Sequence, residues 1–145
     1  MATPCQVDFY VLASAAQSPQ QLACRLAMMA WEQGYRVSVQ TDNDQAAQAL
    51  DELMWDHPPG RFLPHGSGAD GAASPVSIGT PEQDIAADRE VIINLAASAV
   101  PEPARFKRLL EIVSADASQR DASRMKYRQY RDQGLDPAHH TIGKS

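Results

Sequence analysis

Val7-Asp8-Phe9-Tyr10-Val11-Leu12, then Ser18-Pro19, Gly34 and Arg36-Val37-Ser38-Val39-Gln40, decide the fold of this chain. The first piece is dense in β-branched and aromatic side chains, as a buried strand requires. Ser18 is placed to cap a helix, and Pro19 suits its first position, where an N–H would go unused anyway. Leu22, Cys24, Leu26, Ala27, Ala30 and Trp31 continue a broad apolar helical face, and Gly34 supplies the residue that ends it. Residues 36–40 alternate polar and apolar side chains, which fits a second strand. Asp42 or Asp44 can cap a second helix, on which Ala46, Leu50, Leu53 and Met54 recur at helical spacing. Residues 7–55 thus read β-α-β-α. The expected fold class is α/β: three layers, with a mostly parallel sheet flanked by helices.

Further along, Pro58-Pro59-Gly60 stops the second helix, and residues 66–74 read as a flexible Gly- and Ser-rich loop. Strand signals resume at residues 76–79 and again at 91–95, the latter apolar enough to be central in the sheet. Pro101 and Pro103 precede an expected helix with Phe106, Leu109, Leu110 and Val113 on one face. A last helix is expected over about residues 116–132, ending at Gly134, and residues 135–145 read as a loose tail. The 145 residues fall in the usual range of one α/β domain, and no internal repeat is present.

The fold class invites a search for a nucleotide site, and the search fails. The segment after the first strand, Ala13-Ser14-Ala15-Ala16-Gln17-Ser18, holds no glycine, so it is neither a P-loop nor a dinucleotide fingerprint. Gly66, Gly68 and Gly71 have no lysine and no helix behind them. There is no Gly-x-Ser-x-Gly elbow, and His57, His65 and the adjacent pair His139-His140 lack the further ligands of a metal centre. No catalytic residue, cofactor or metal is expected. Cys5 and Cys24 match no metal spacing and read as reduced, buried thiols. The N-terminal residues lack a basic region followed by an apolar run, so no signal peptide is expected. No apolar stretch approaches the ~20 residues of a membrane span, so a soluble, cytoplasmic protein is expected.

Charge is divided unevenly. The chain carries a formal net charge of −5, yet residues 1–104 hold 4 basic and 13 acidic side chains, while residues 105–145 hold 9 basic and 5 acidic. Five of the thirteen Lys/Arg residues and two of the four tyrosines fall between Arg120 and Arg131. On a helix, Arg120, Arg124, Tyr127, Arg128 and Arg131 form one stripe, with Lys126 and Tyr130 beside it. Such a stripe is either a solvated face or an anion site. Arginine forks beside a tyrosine suit a carboxylate-bearing peptide with an apolar residue, or nucleic-acid phosphates and bases. The acidic body, with a pI near 5.2, repels a polyanion and favours the peptide. A second surface is suggested by Trp55 at a helix end and by Phe62-Leu63-Pro64 after the prolines. These either staple the turn to the core or anchor a partner.

With these residues in place, the chain resembles the chi subunit of bacterial DNA polymerase III, an accessory protein of the clamp loader. The resemblance runs from about residue 7 to Gly134. It rests on Asp8-Phe9-Tyr10, Leu50-Asp51-Glu52-Leu53-Met54-Trp55, Phe62-Leu63-Pro64-His65, Val91-Ile92-Ile93-Asn94-Leu95, Arg105-Phe106, Glu111-Ile112-Val113 and Arg124-Met125-Lys126-Tyr127-Arg128-Gln129-Tyr130-Arg131, in that order. It implies a noncatalytic adaptor with a nucleotide-binding-like fold and no P-loop. That adaptor would bridge the psi subunit of the clamp loader to the acidic, Phe-terminated C-terminal tail of the single-stranded-DNA-binding protein, meeting DNA only indirectly. Trp55, Phe62, Leu63 and Pro64 would contact psi, with a helicase as a competitor for that face. Arg124, Tyr127, Arg128 and Arg131 would contact the acidic tail, with Val113 at the apolar edge of the pocket. Arg128 stands where other members carry a lysine. The alternatives left open are a nucleotide binder and a direct single-strand-DNA binder on the same fold.

Overall fold

A computed structural model describes residues 5–14, 16–56, 64–67, 74–81 and 85–142. Seven strands form one sheet: β1 (Gln6–Leu12), β2 (Val37–Gln40), β3 (His65–Ser67), β4 (Val76–Gly79), β5 (Val91–Asn94), β6 (Arg108–Val113) and β7 (Ala138–Ile142). Their order is β3-β4-β2-β5-β6-β1-β7, and every pairing is parallel. Three helices flank it: α1 (Pro19–Glu32), α2 (Asp44–Met54) and α3 (Ala117–Asp132). Helices α1 and α2 cover one face, over a core built from Leu22, Ala27, Met28, Val37, Val39, Leu50, Met54, Ile93 and Leu110. Helix α3 covers the other, placing Tyr130 among Val7, Phe9, Ile92, Leu109 and Val113. The three-layer α/β expectation holds, and β5 is the central strand.

The local signals explain most boundaries. The Ser18 hydroxyl accepts from the Gln21 N–H and caps α1, with Pro19 at the first position, a contribution of about 1 kcal/mol. Gly34 lies at φ +93°, the left-handed conformation that ends α1 without a Cβ clash. The cap of α2 is neither Asp42 nor Asp44. Asn43 fills that position, its side chain accepting from the Ala46 N–H at 2.8 Å. Asp42 instead accepts from the Ala97 N–H at 2.7 Å, tying the loops after β2 and β5 together.

Two expectations are corrected. Residues 106–113 are not a helix: a three-residue 3-10 turn, Pro103–Arg105, leads into β6. The apolar spacing 106, 109, 110, 113 imitates a helical face because β6 is buried on both sides, and a doubly buried strand has no alternation to betray it. Nor are residues 135–145 loose throughout. Residues 138–142 form β7, which pairs with β1 so that Phe9 lies beside His139 and Tyr10 beside His140. Its short, polar, exposed sequence hides it, since what makes it a strand is the open edge of β1. Within the loop expected at 66–74, Gly66 and Ser67 belong to β3, and residues 68–73 lie outside the described residues.

Candidate functional site

The basic stripe lies on α3, which packs on β1 and β6 beside the β7 edge of the sheet. What it buries is polar as well as apolar. Lys126 is 5% exposed: its ammonium donates to Glu111 Oε1 at 2.9 Å and to the Ala96 carbonyl. Glu111, fully buried in β6, also accepts from the Tyr130 hydroxyl and, at 2.8 Å, from the Asn94 amide. The Tyr130 hydroxyl accepts in turn from the Val100 N–H at 2.9 Å. Burial pushes the Glu111 carboxyl above its ordinary range, against the opposing pull of Lys126 and the hydrogen bonds from Tyr130 and Asn94. Every polar atom of this cluster that meets the core has a partner, as burial requires. Lys126 and Tyr130 are therefore the inward face of α3 and do not add to the outward charge.

The outward face forms an open cleft, about 490 Å³ with the solvent it encloses, lined by Ser123, Arg124, Tyr127, Arg128 and His139. Four of these residues come from α3 and one from β7, so helix and edge strand are its two banks. Tyr127 is half-buried, its ring 6.0 Å from that of Phe9 and 5.2 Å from that of His139. Arg131 lies over the same ring at 5.8 Å and donates to the Tyr127 hydroxyl at 3.2 Å. Arg124 pairs with Asp121 at 3.1 Å, but both side chains are about three-quarters exposed, where such a pair contributes well under 1 kcal/mol. Arg128 is exposed and has no carboxylate partner among the described residues. Arg124, Tyr127 and Arg128 are thus brought together, with Arg131 braced against the tyrosine. Val113 is 4% exposed, in the core cluster against which Tyr127 packs, and is not part of the lining.

Ser123 and His139 are the lining residues that sequence reasoning missed. The pair His139-His140 reads as an exposed tail, yet strand pleating splits it. His139 faces α3, while His140 stacks on Tyr10 at 5.2 Å and contacts Asp8 Oδ1 at 2.8 Å on the opposite face. Asp8 is 1% exposed. Burial favours its neutral form, but hydrogen bonds from His140 and Arg108 and their charges outweigh burial and hold its pKa below the ordinary carboxylate value. The signal that could have found β7 is the residue opposite: a strand as apolar as β1 leaves little room for an unpaired edge.

The second set lies at the β3 edge. Trp55, at the C-terminal end of α2, is 61% exposed, its ring 4.7 Å from that of His65. His65 Nε2 contacts Asp51 Oδ1 at 2.8 Å, which joins β3 to α2. Pro64 is half-buried beside it, and Phe62 and Leu63 lie outside the described residues. The two sets occupy opposite edges of a seven-stranded sheet and opposite faces of it. Six inter-strand gaps of ~4.8 Å separate the edges by roughly 29 Å.

Where a P-loop would follow β1, the chain does something else. The Ala13 N–H and the Gln17 side-chain amide both donate to the Ile142 carbonyl, at 3.2 and 3.0 Å. No group of three or more potential metal ligands occurs among the described residues, and no helix among them is long and apolar enough to cross a membrane.

Residues 5–138 match the family described as DNA polymerase III chi subunit, HolC. The chain is 36% identical over 138 residues to DNA polymerase III subunit chi of Pseudomonas aeruginosa, covering 94% of this chain and 96% of that one. It is 29% identical over 118 residues to DNA polymerase III subunit chi of Escherichia coli K12, covering 80% of each. Among solved structures, the fold is similar to S. cerevisiae Dbp5 bound to RNA and ADP BeF3, with a TM-score of 0.68 at 10% identity. A second Dbp5 structure, bound to Nup159, Gle1, IP6 and ADP, gives 0.66 at 10% identity. The chain spans 41% and 42% of those structures. At such identity the likeness is one of fold.

Proposed function

The chain belongs to the DNA polymerase III chi subunit family, and from that premise we propose that it is a noncatalytic adaptor joining two partners of the cytoplasmic replisome. In this reading the β3 edge anchors the psi subunit of the clamp loader through Trp55, with Phe62, Leu63 and Pro64 beside it. The β7 edge grips the acidic C-terminal tail of the single-stranded-DNA-binding protein through Arg124, Tyr127, Arg128 and Arg131, with Val113 supporting the tyrosine from the core. DNA is met only through that protein. A helicase would compete for the psi edge.

The observation that carries the reading is the state of Arg128: a guanidinium without a carboxylate partner among the described residues, beside a braced tyrosine in an open cleft, on a protein of net charge −5. An acidic peptide ending in an aromatic residue matches both halves of that site, carboxylates for the arginines and a ring for the tyrosine. Single contacts at an exposed site are modest, so micromolar affinity is expected, raised by the many tails on one coated strand.

The decisive experiment is a pull-down on an immobilised acidic, Phe-ended peptide and on the same peptide without its terminal Phe. Retention by the first and loss on the second is expected. Equal retention by both would reduce the site to a nonspecific anion patch.

A further inference from the structure

The banks of the cleft are unequal. Arg124 and Arg128 stand one helical turn apart on α3, so an anion held by them alone is gripped from one side. The opposite bank is β7, and its side chain in the cleft is His139. That imidazole is held by two rings: it stacks on Phe9 at 5.1 Å with a 23° tilt, and meets Tyr127 at 5.2 Å with a 37° tilt. The residue as a whole is exposed. Neither ring nitrogen has a hydrogen-bond partner among the described residues, in contrast to His140, whose Nε2 is committed to Asp8. A ring fixed by stacking, with its polar edge unspent beside two guanidinium groups, has the position and chemistry of a ligand contact.

We propose that His139 is a ligand-contacting residue of this cleft, donating a ring N–H to a carboxylate of an acidic peptide lying between β7 and the Arg124/Arg128 bank. This inference rests on the reading of the cleft as an acidic-peptide site. It extends the recognition surface beyond α3 to the edge strand, and it makes one side chain of β7 a determinant of carboxylate against amide. Imidazole suits the role because its N–H donor lies in the plane of the ring, so that stacking on Phe9 does not consume it. A purely spacing role for the ring predicts that any flat aromatic side chain would serve equally well.

The test uses the full chain and fluorescence anisotropy of a labelled acidic, Phe-ended peptide. His139→Phe keeps the stack and removes the donor. It is expected to weaken binding about five- to tenfold with thermal melting unchanged. His139→Gln, which retains an N–H, is expected to recover most of the loss. A peptide whose Asp and Glu are replaced by Asn and Gln should bind weakly, and equally to wild type and His139→Phe. Wild-type affinity in His139→Phe, with binding lost in Arg128→Ala, overturns the role of His139 and leaves the cleft reading standing. Failure of the wild-type chain to bind the acidic peptide overturns both.

Discussion

The two edges of the sheet both display an aromatic ring, and they use it differently. At the β3 edge, Trp55 projects from a helix that carries Asp44, Asp51 and Glu52 and no basic residue, and its ring is mostly in solvent. At the β7 edge, Tyr127 sits half-buried among Phe9, His139 and Arg131, on a helix that carries five basic residues. The first arrangement offers apolar area and the second offers charge arranged around a ring. What a helix places on its outward face decides whether an exposed aromatic is an anchor or the floor of a charged cleft. Within α3 the same division recurs: cations facing solvent are available to a ligand, and Lys126, facing inward, is consumed by the fold.

That division can be broken most forcefully at Lys126. Lys126→Ala leaves Glu111 buried without its counter-charge, and a loss of about 3–5 kcal/mol in urea unfolding is expected. A loss below 1 kcal/mol would put Lys126 back among the surface cations. Next in size is Trp55→Ala, expected to weaken association with psi by about a hundredfold, the scale of a single aromatic anchor, while acidic-peptide binding is unaffected. Co-purification with psi at wild-type level would return Trp55 to the role of a staple on α2 and β3. Arg128→Ala is expected to weaken the acidic peptide about tenfold and to leave stability within about 0.5 kcal/mol. Added salt should weaken the same peptide in wild type and leave psi association nearly constant; equal salt slopes at both edges would abolish the contrast.

The smallest effect concerns pH. Asp8 has a folded pKa below its ordinary value, so it contributes stability that is complete above about pH 4 and is lost as pH falls from there through the folded pKa. Acid titration of unfolding free energy should therefore be shallower in Asp8→Asn than in wild type below pH 4. Parallel curves would show that the contacts from His140 and Arg108 do not hold β7 and β6 to β1 in solution.

How much of this the sequence disclosed depends on how local the cause was. The α1 boundaries, the β-α-β-α opening and the α3 stripe were legible because caps, glycine and periodicity act within a few residues of their effect. Strand β6 was misread because an apolar run buried on both faces carries no period of its own, and Glu111 in its middle makes sense only once Lys126, Tyr130 and Asn94 surround it. Strand β7 was missed because nothing in Ala138-His139-His140-Thr141-Ile142 demands a strand; the demand comes from β1, more than a hundred residues earlier. The same distance hid His139 from the candidate site. Arginines and a tyrosine on one helix announce each other, whereas a cross-strand neighbour does not.

The strand order also sets a timetable. β1 emerges first from the ribosome, yet its two neighbours are β6 and β7, and its Asp8 meets His140 across 132 residues. At ~5–20 residues per second, roughly 7–26 s pass between the synthesis of these two side chains. Until β6 is made, Val7, Phe9 and Leu12, all at most 1% exposed in the finished fold, lack the strand through which β1 joins the sheet, and until β7 is made the other edge of β1 stays open. The half of the sheet built from β2, β4 and β5 can assemble much earlier, from contacts closer in sequence. The nascent chain is thus open at the edge that later carries the cationic cleft, and its first strand is the last to be enclosed.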